Sequence, residues 1–293
     1  KSSMKKMEVQ KPFFSVIIPT FERPEDLRKC LSSLNSEQQE GAPPYELIVT
    51  DDSRTDACQS LVSKEFPHVS WGEGKQNGPA GNRNAGVARA QGEWIVFIDD
   101  DCIAQKGYLA GYAQAIRTNP ENLAFEGRIF PERSRRTWAE GCPENEYGGM
   151  FWTSNLCVQR ELYVSMGGLD ERFEVAYEDV DFAYRLQTGG NKGIFVREAS
   201  VCHPWRSLRQ GGKNWKRKGY EIESLIHFLE KHPNAMSTHG SAKTYLRHSA
   251  RMLTKDFLYC LFCLKGRGLD ILLSQALNSL RVSLRVHNLK NKI

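Results

Sequence analysis

A chain of 293 residues with 40% apolar and 26% charged content has ordinary globular composition, enough for one large domain or one domain with an appendage. Its 24 glycines and 12 prolines are too few for a collagen-like or low-complexity chain, and 40 basic against 35 acidic residues is too even a balance for wholesale disorder. The apolar run Phe257–Leu264 falls well short of the roughly 20 residues a spanning helix needs, and no charged-then-apolar leader is visible, so a cytoplasmic setting is expected, with peripheral contact on the inner face of the cell membrane.

In chain order, Phe14-Ser15-Val16-Ile17-Ile18 is a short β-branched run stopped by Pro19, the pattern of a buried parallel strand. Pro24 at a first helical position, Glu25 and Asp26 in the first turn, and Leu27, Leu31 and Leu34 at helical spacing predict a helix. Tyr45–Thr50 reads as a second strand ending at Asp51-Asp52, and a weaker one is expected near Val69–Trp71. A glycine-rich turn leads to a helix around Ala80–Ala90, and Trp94–Ile98 is a strong strand ending in Asp99-Asp100-Asp101. This βαβαβ rhythm predicts an α/β fold with a mostly parallel, Rossmann-like sheet flanked by helices. From Arg128 to Gly149 the pattern breaks, as expected of a mobile loop over a site. Strands at Phe151–Val158 and Ile194–Val201 enclose a helix near Asp179–Gln187, and the chain past Tyr220 reads as helical. An α/β domain over 12–220, the candidate catalytic domain, and a basic amphipathic helical extension over 221–293 are expected.

Ligands of such sheets bind beyond the carboxyl ends of the strands, and three strand ends here carry acids. Carboxylate oxygens at Asp99-Asp100-Asp101 suit Mg²⁺ or Mn²⁺ bridging a diphosphate, against the plainer reading of an acidic turn. Gly78-Pro-Ala-Gly81-Asn82-Arg83-Asn84-Ala-Gly86 precedes a helix and offers N–H groups and a guanidinium to an anion, or simply small residues for packing. It matches neither the dinucleotide fingerprint nor the P-loop. Tyr177-Glu178-Asp179-Val180-Asp181 sets three acids at a helix start; they cap the helix, or one of them takes a proton from an attacking hydroxyl. His203 is a candidate third metal ligand or a structural histidine. Trp152 and Asn155 offer an aromatic face and an amide to an acceptor sugar, with core packing the alternative. The eight cysteines are scattered and expected to be reduced; Cys260-x-x-Cys263 lacks a second pair for a metal site.

Together these residues resemble inverting nucleotide-sugar glycosyltransferases of family 2, with the GT-A fold. The resemblance covers about residues 14–204 and rests on Ser15-Val-Ile-Ile-Pro19-Thr20, Asp51-Asp52-Ser53, Gly81-Asn-Arg83-Asn84-Ala-Gly86, Phe97-Ile-Asp99-Asp100-Asp101 and Glu178-Asp179, in the family's order. It implies that Pro19, Thr20, Phe21, Glu22 and Asp52 hold base and ribose, that Arg83 supports the nucleotide, and that Asp99 and Asp100 belong to its binding site. It makes Asp101 the foremost metal ligand, with Asp99 and His203 beside it. Asp179 is then the general base and Glu178 its orienting partner. The implied cofactor is Mn²⁺ or Mg²⁺. The implied reaction moves a sugar from a nucleotide-sugar, with uracil the expected base and guanine or thymine the alternatives, to a hydroxyl of a glycan or lipid-linked glycan. Thr50 and Arg54 stand where the family more often has Val and Ser.

The net charge of +5 hides an asymmetry: Ser241–Ile293 has ten Lys/Arg against two acids, and Trp205–Tyr220 has six and none. Apolar faces at helical spacing with basic neighbours predict peripheral membrane contact or a homodimer through these helices, against packing on the catalytic domain. No nucleic-acid partner is expected. The competing functions are a retaining transferase, a sugar-nucleotide pyrophosphorylase, and a non-catalytic polyanion-binding protein using Lys213, Lys216, Arg217 and Lys218. A pyrophosphorylase would be expected to carry a Gly-rich loop with Lys or Arg where Pro19-Thr20-Phe21-Glu22 stands.

Overall fold

The computed structural model describes residues 11–208, 212–239 and 241–290; the side chains of 209–219, Lys213, Lys216, Arg217 and Lys218 among them, lie outside the described part. Strand β1 (Phe14–Thr20) leads through helix α1 (Pro24–Ser33) to β2 (Tyr45–Asp51), through α2 (Ala57–Glu65) to β3 (Ser70–Glu73), and through α3 (Pro79–Val87) to β4 (Trp94–Ile98). Next come β5 (Ile103–Ala104), α4 (Tyr108–Thr118), β6 (Ala124–Pro131), β7 (Glu140–Gly141), β8 (Asn155–Gln159), α5 (Arg160–Ser165), α6 (Glu178–Thr188), β9 (Ile194–His203) and β10 (Arg206–Ser207). Helix α7 (Gly212–Lys231), a 3₁₀ turn (Pro233–Ser237), α8 (Ala242–Arg251), a π turn (Met252–Asp256), α9 (Phe257–Phe262) and α10 (Leu269–Lys290) follow.

The main sheet has the order β3-β2-β1-β4-β8-β6-β9-β5. Its first four strands are parallel, as the βαβ rhythm predicts; β8 then runs antiparallel to both β4 and β6, β9 runs parallel to β6, and β5 antiparallel to β9, so the sheet as a whole is mixed. Alternation along the strands builds two cores. Val16 and Ile18 of β1 and Val96 and Ile98 of β4 face the layer of α1, α2 and α4, while Ile17, Ile95 and Phe97 face the layer of α3, α5 and α6. Both faces are covered, which is why these strands read as continuous apolar runs. Each such side chain contributes about 1.5–3 kcal/mol through burial.

The stretch expected to be a mobile loop is instead extensively tied. Its first residues belong to β6, and buried Glu126 accepts N–H bonds from Met150 and Phe151 and the amide of Asn145. Glu140, paired with Arg133, also accepts the backbone N–H of Arg136 and Thr137 and sits near pKa 2, held down by those bonds.

The C-terminal helices dock on the catalytic body. Phe173 packs with Leu225, Phe228, Leu229, Val282 and Val286, and Trp138 with Cys260, Leu264 and Leu272. Trp138 also donates its indole N–H to Gln275 at 2.8 Å. One apolar stripe of these helices is therefore spent inside the molecule, the outcome weighed against membrane and dimer contact. The expected boundary at 220/221 falls within the continuous helix α7. No helix among the described residues is long and apolar enough to cross a membrane.

Candidate active site

Because β1, β2 and β4 are parallel and in register, Thr20, Asp51 and Asp99 come to one edge of the sheet. There a cleft of about 840 Å³ opens, lined by Pro19, Thr20, Phe21, Asp52, Arg83, Asp99, Asp100, Asp101, Glu178 and His203 among others. Phe21 is half-exposed at its rim. Asp52 accepts the Gln76 N–H at 2.9 Å, and burial raises its pKa. Glu22 is absent from the lining, unlike Pro19, Thr20 and Phe21. It sits at φ 55 and ties the first two strand-end loops together: its carboxylate accepts the Arg54 N–H and the Thr55 hydroxyl, and its own N–H donates to Ser53 Oγ.

The three aspartates diverge, since β4 ends at Ile98 and a turn follows in which the Cys102 N–H donates to Asp99 O. Asp100 points to β1, accepting the Thr20 hydroxyl at 2.7 Å and Arg23 at 3.3 Å; burial lifts it to about 7. Asp101 accepts Arg23 at 3.1 Å and Arg206 Nε at 2.9 Å on Oδ2, while its Oδ1 lies 3.3 Å from His203 Nε2. Asp99 turns the other way, to Arg83 at 2.5 Å. Asp99 and Asp101 therefore point to different sides of this turn.

The Asp101–His203 pair fits a divalent cation. His203 Nδ1 is 2.7 Å from the carbonyl of Pro204, an acceptor only, so Nδ1 carries the proton. In the neutral ring Nε2 then presents a lone pair toward a carboxylate oxygen, an arrangement a metal ion between them satisfies. The Cys102 sulfur completes a cluster of three ligand atoms within 4.8 Å of one another, but burial holds that thiol well above its usual range and leaves it a neutral, soft donor beside two hard ones. Asp99, bonded to Arg83, stands outside this group.

Glycine opens the opposite wall. Gly78 has φ 100, and a Cβ there would lie 2.4 Å from Glu174 O, so only glycine lets α3 start this close to the segment before α6. Tyr177, at φ 77, is held in the left-handed region one residue before Glu178. Buried Arg83 spans both sides, donating to Asp99 and, at 3.4 Å, to Glu178. Burial opposes its charge, but the Asp99 and Glu178 carboxylates outweigh that and raise its pKa. Glu178 is lifted to about 7 by burial and by the Asp179 charge; Asp179, one position on, is also raised by burial and accepts the Val180 N–H at 2.8 Å. Glu178 lines the cleft and Asp179 does not. Among the described residues Asp179 has no ion-pair partner. Arg83 Nε and Asn82 Oδ1, both buried, have no hydrogen-bond partner, a polar vacancy suited to an incoming ligand.

Asn155 is in the core, not an acceptor site. Its amide is saturated by the hydroxyls of Tyr108 and Tyr112 and by the carbonyls of Arg128 and Ala199. Trp152 packs against the same core, and neither residue lines the cleft. Sequence reasoning missed Arg23, Arg206, Ile271 and Gln275, all of which do. The signal for Arg206 was the basic run at 205–220, read there as a polyanion surface. Ile271 and Gln275 share one face of α10, opposite its outermost leucines.

Two family models match the chain: Glycosyl transferase family 2 over residues 15–157 and Glycosyl transferase family group 2 over residues 94–269. An uncharacterized glycosyltransferase of Haemophilus influenzae is 26% identical over 187 residues, 59% of this chain and 61% of the relative. The GalNAc(5)-diNAcBac-PP-undecaprenol beta-1,3-glucosyltransferase of Campylobacter jejuni is 34% identical over 108 residues, 35% of this chain and 34% of the relative. The chain thus covers less than two-thirds of either protein. Among solved structures, mannosyltransferase PcManGT from Pyrobaculum calidifontis, in complex with GDP-Man and Mn²⁺, superposes with a TM-score of 0.58 at 17% identity, covering 94% of this chain and 88% of that one. S. aureus TarS 1-349 in complex with UDP gives 0.54 at 16% identity, covering 95% and 91%. Acidic strand ends around one cleft, the sheet that carries them and the match over residues 94–269 lead to one conclusion: the chain belongs to family 2 of the glycosyltransferases and has the GT-A fold.

Proposed function

We propose that this enzyme transfers a sugar from a nucleoside-diphosphate sugar, with uridine as the nucleoside, to a hydroxyl of a glycan or lipid-linked glycan, with inversion at the anomeric carbon and with a divalent cation. The observation that carries this reading is Arg83, which joins Asp99 at the end of β4 to Glu178 at the start of α6 across a single cleft. Pro19, Thr20, Phe21 and Asp52 form the nucleoside end, with the Phe21 ring at the rim for the base. Asp101 and His203 would hold Mn²⁺ or Mg²⁺, which supplies charge neutralisation for the departing diphosphate. Arg23 and Arg206, both on Asp101, bring two guanidinium groups to the same wall.

Asp179 is the proposed acceptor of the hydroxyl proton, although it is Glu178, the residue before it, that lines the cleft. Glu178, engaged by Arg83, is fixed in place and keeps the paired carboxylates coupled, while Asp179 has no cation of its own to compete for its lone pairs. Burial raises the pKa of Asp179 above the ordinary aspartate range, which makes it a stronger base than an exposed carboxylate. A base opposite the leaving group serves single displacement, and hence inversion. The acceptor class is supported by relatives' names: an undecaprenol diphosphate-linked glycan for the Campylobacter jejuni enzyme and poly(ribitol-phosphate) for TarS. Uridine is supported by the UDP complex of TarS. Family membership displaces the pyrophosphorylase and polyanion-binding alternatives.

Thermal melting with UDP, GDP and dTDP, each with and without Mn²⁺, tests the donor reading. UDP is expected to raise the midpoint, and only with the metal present. No shift with any diphosphate would overturn the nucleotide-sugar reading, and a product with retained anomeric configuration would overturn inversion.

A further inference from the structure

The C-terminal helices spend one stripe on the catalytic body and leave a second uncovered. Of the fifteen large apolar side chains exposed among the described residues, nine lie between Leu246 and Leu284. On α10, Leu273, Leu277, Leu280 and Leu284 follow one another at helical spacing, beside the buried arc of Leu272, Ala276 and Ser283 rather than within it. Helix α8 runs antiparallel against this helix: Ser249 Oγ donates to the Ala276 carbonyl at 2.8 Å and Ser283 Oγ to the Ala242 carbonyl at 2.9 Å. That register sets Leu246 in one groove with Leu280 and Leu284, and carries Leu253 toward Leu273. The two helices thus share an apolar ridge whose exposed leucines span about 16 Å along α10.

Basic residues border this ridge. Lys243, Arg247 and Arg251 follow the outer side of α8, and Arg281 and Arg285 the outer side of α10. From 241 to 290 there are nine Lys/Arg against two acids; Asp256 is paired with Arg251, and Arg285 lies 3.4 Å from Glu223 of α7. A second copy of this chain is a poor partner for such a face, because a two-fold contact would set the same cations against each other. An anionic lipid surface complements both parts: acyl chains receive the leucines and headgroup phosphates receive the cations.

We propose that the α8–α10 face docks this enzyme on a bilayer containing anionic phospholipid. Docking is independent of the donor and metal assignments, because Leu277 and Leu284 lie away from the cleft, which α10 lines with Ile271 and Gln275.

The test is flotation of the full chain with vesicles of phosphatidylcholine alone and of phosphatidylcholine mixed with phosphatidylglycerol. Binding to the anionic vesicles only is expected, weakened at high salt. The pair Leu277→Glu and Leu284→Glu should lower it by about tenfold or more, and the pair Lys243→Glu and Arg247→Glu by a similar factor. Both pairs are solvent-exposed, so an unchanged melting midpoint shows that the fold is intact. Absence of binding, equal binding to neutral vesicles, or binding untouched by the leucine pair in a folded variant would overturn the proposal. So would a homodimer in sedimentation equilibrium that the leucine pair splits. A missing UDP response with intact flotation would count against the donor reading alone.

Discussion

At the scale of single residues, the cleft is a problem in charge placement. Glu178 and Asp179 are adjacent acids beside one arginine, and their burial makes two negative charges costly. Asp179→Asn should cut kcat by about 10³-fold, within the span general-base removal usually gives, and leave UDP binding by melting shift intact. Glu178→Gln should cost less in kcat if it orients rather than accepts the proton; an equal or larger loss would transfer the base role to Glu178. The pH response has a definite sign. A base must be ionised, so kcat/KM is expected to fall as pH drops, and to do so above the ordinary aspartate range because burial raises Asp179. Stability should move oppositely. With Glu178 and Asp100 both near 7 when folded, against 4.5 and 3.8 ordinarily, the folded chain takes up protons before the unfolded chain does. Their contribution therefore rises as pH falls from about 7 toward 4.5, in a ligand-free denaturant titration. Glu178→Gln should flatten part of that slope.

At the scale of elements, the placing of α6 decides where Glu178 and Asp179 sit, and α6 is held from behind. Fully buried Asp181 receives Arg185 at 2.8 Å, Lys231 at 2.6 Å and His232 at 2.8 Å, fastening α6 to the end of α7. Burial alone would raise its pKa; the Lys231 and His232 bonds and the Arg185 charge reverse that. Asp181→Asn removes the carboxylate that Arg185 pairs with, while Lys231 keeps Asp170, and should destabilise the protein by about 3 kcal/mol in urea unfolding at neutral pH. Much of this level was legible in the sequence. Proline at helix starts, β-branched runs and acids at strand ends marked β1, β2, β4 and α1 within a few residues, because those signals are local. The antiparallel insertion of β8 between β4 and β6 was not legible, since strand order is set by packing among distant segments. Asn155 was misread for the same reason: after two aromatics it resembles a surface polar residue, and only the meeting of α4, β6 and β9 around it shows where its amide bonds go. Arg23 and Arg206, 183 positions apart in sequence, carry no shared period, so their meeting at Asp101 emerges only from the fold.

At the scale of the whole molecule, the C-terminal helices complete the cleft rather than append to it. Trp138 is the principal anchor: it is nearly buried, its ring meets the Arg135 guanidinium at 4.1 Å, and its N–H holds Gln275. Trp138→Ala should cost about 3–5 kcal/mol and loosen α10. Since Ile271 and Gln275 line the cleft, substrate KM should rise as well, as steady-state kinetics with each substrate varied in turn would reveal. The amphipathic pattern of these helices was plain from sequence. Its division between an inward stripe and an outward one was not, because both consist of leucines at the same spacing.

The cleft also has a genealogy written into chain order. Thr20, Arg23, Asp52 and the three aspartates precede α4, whereas Glu178, His203, Arg206, Ile271 and Gln275 follow β8. Hybrids joined between those blocks, with one parent supplying each, would inherit donor preference from the first and acceptor preference from the second. They would work only where the two parents still match at the contacts that join the blocks, Arg83 with Glu178 and Asp101 with His203 and Arg206.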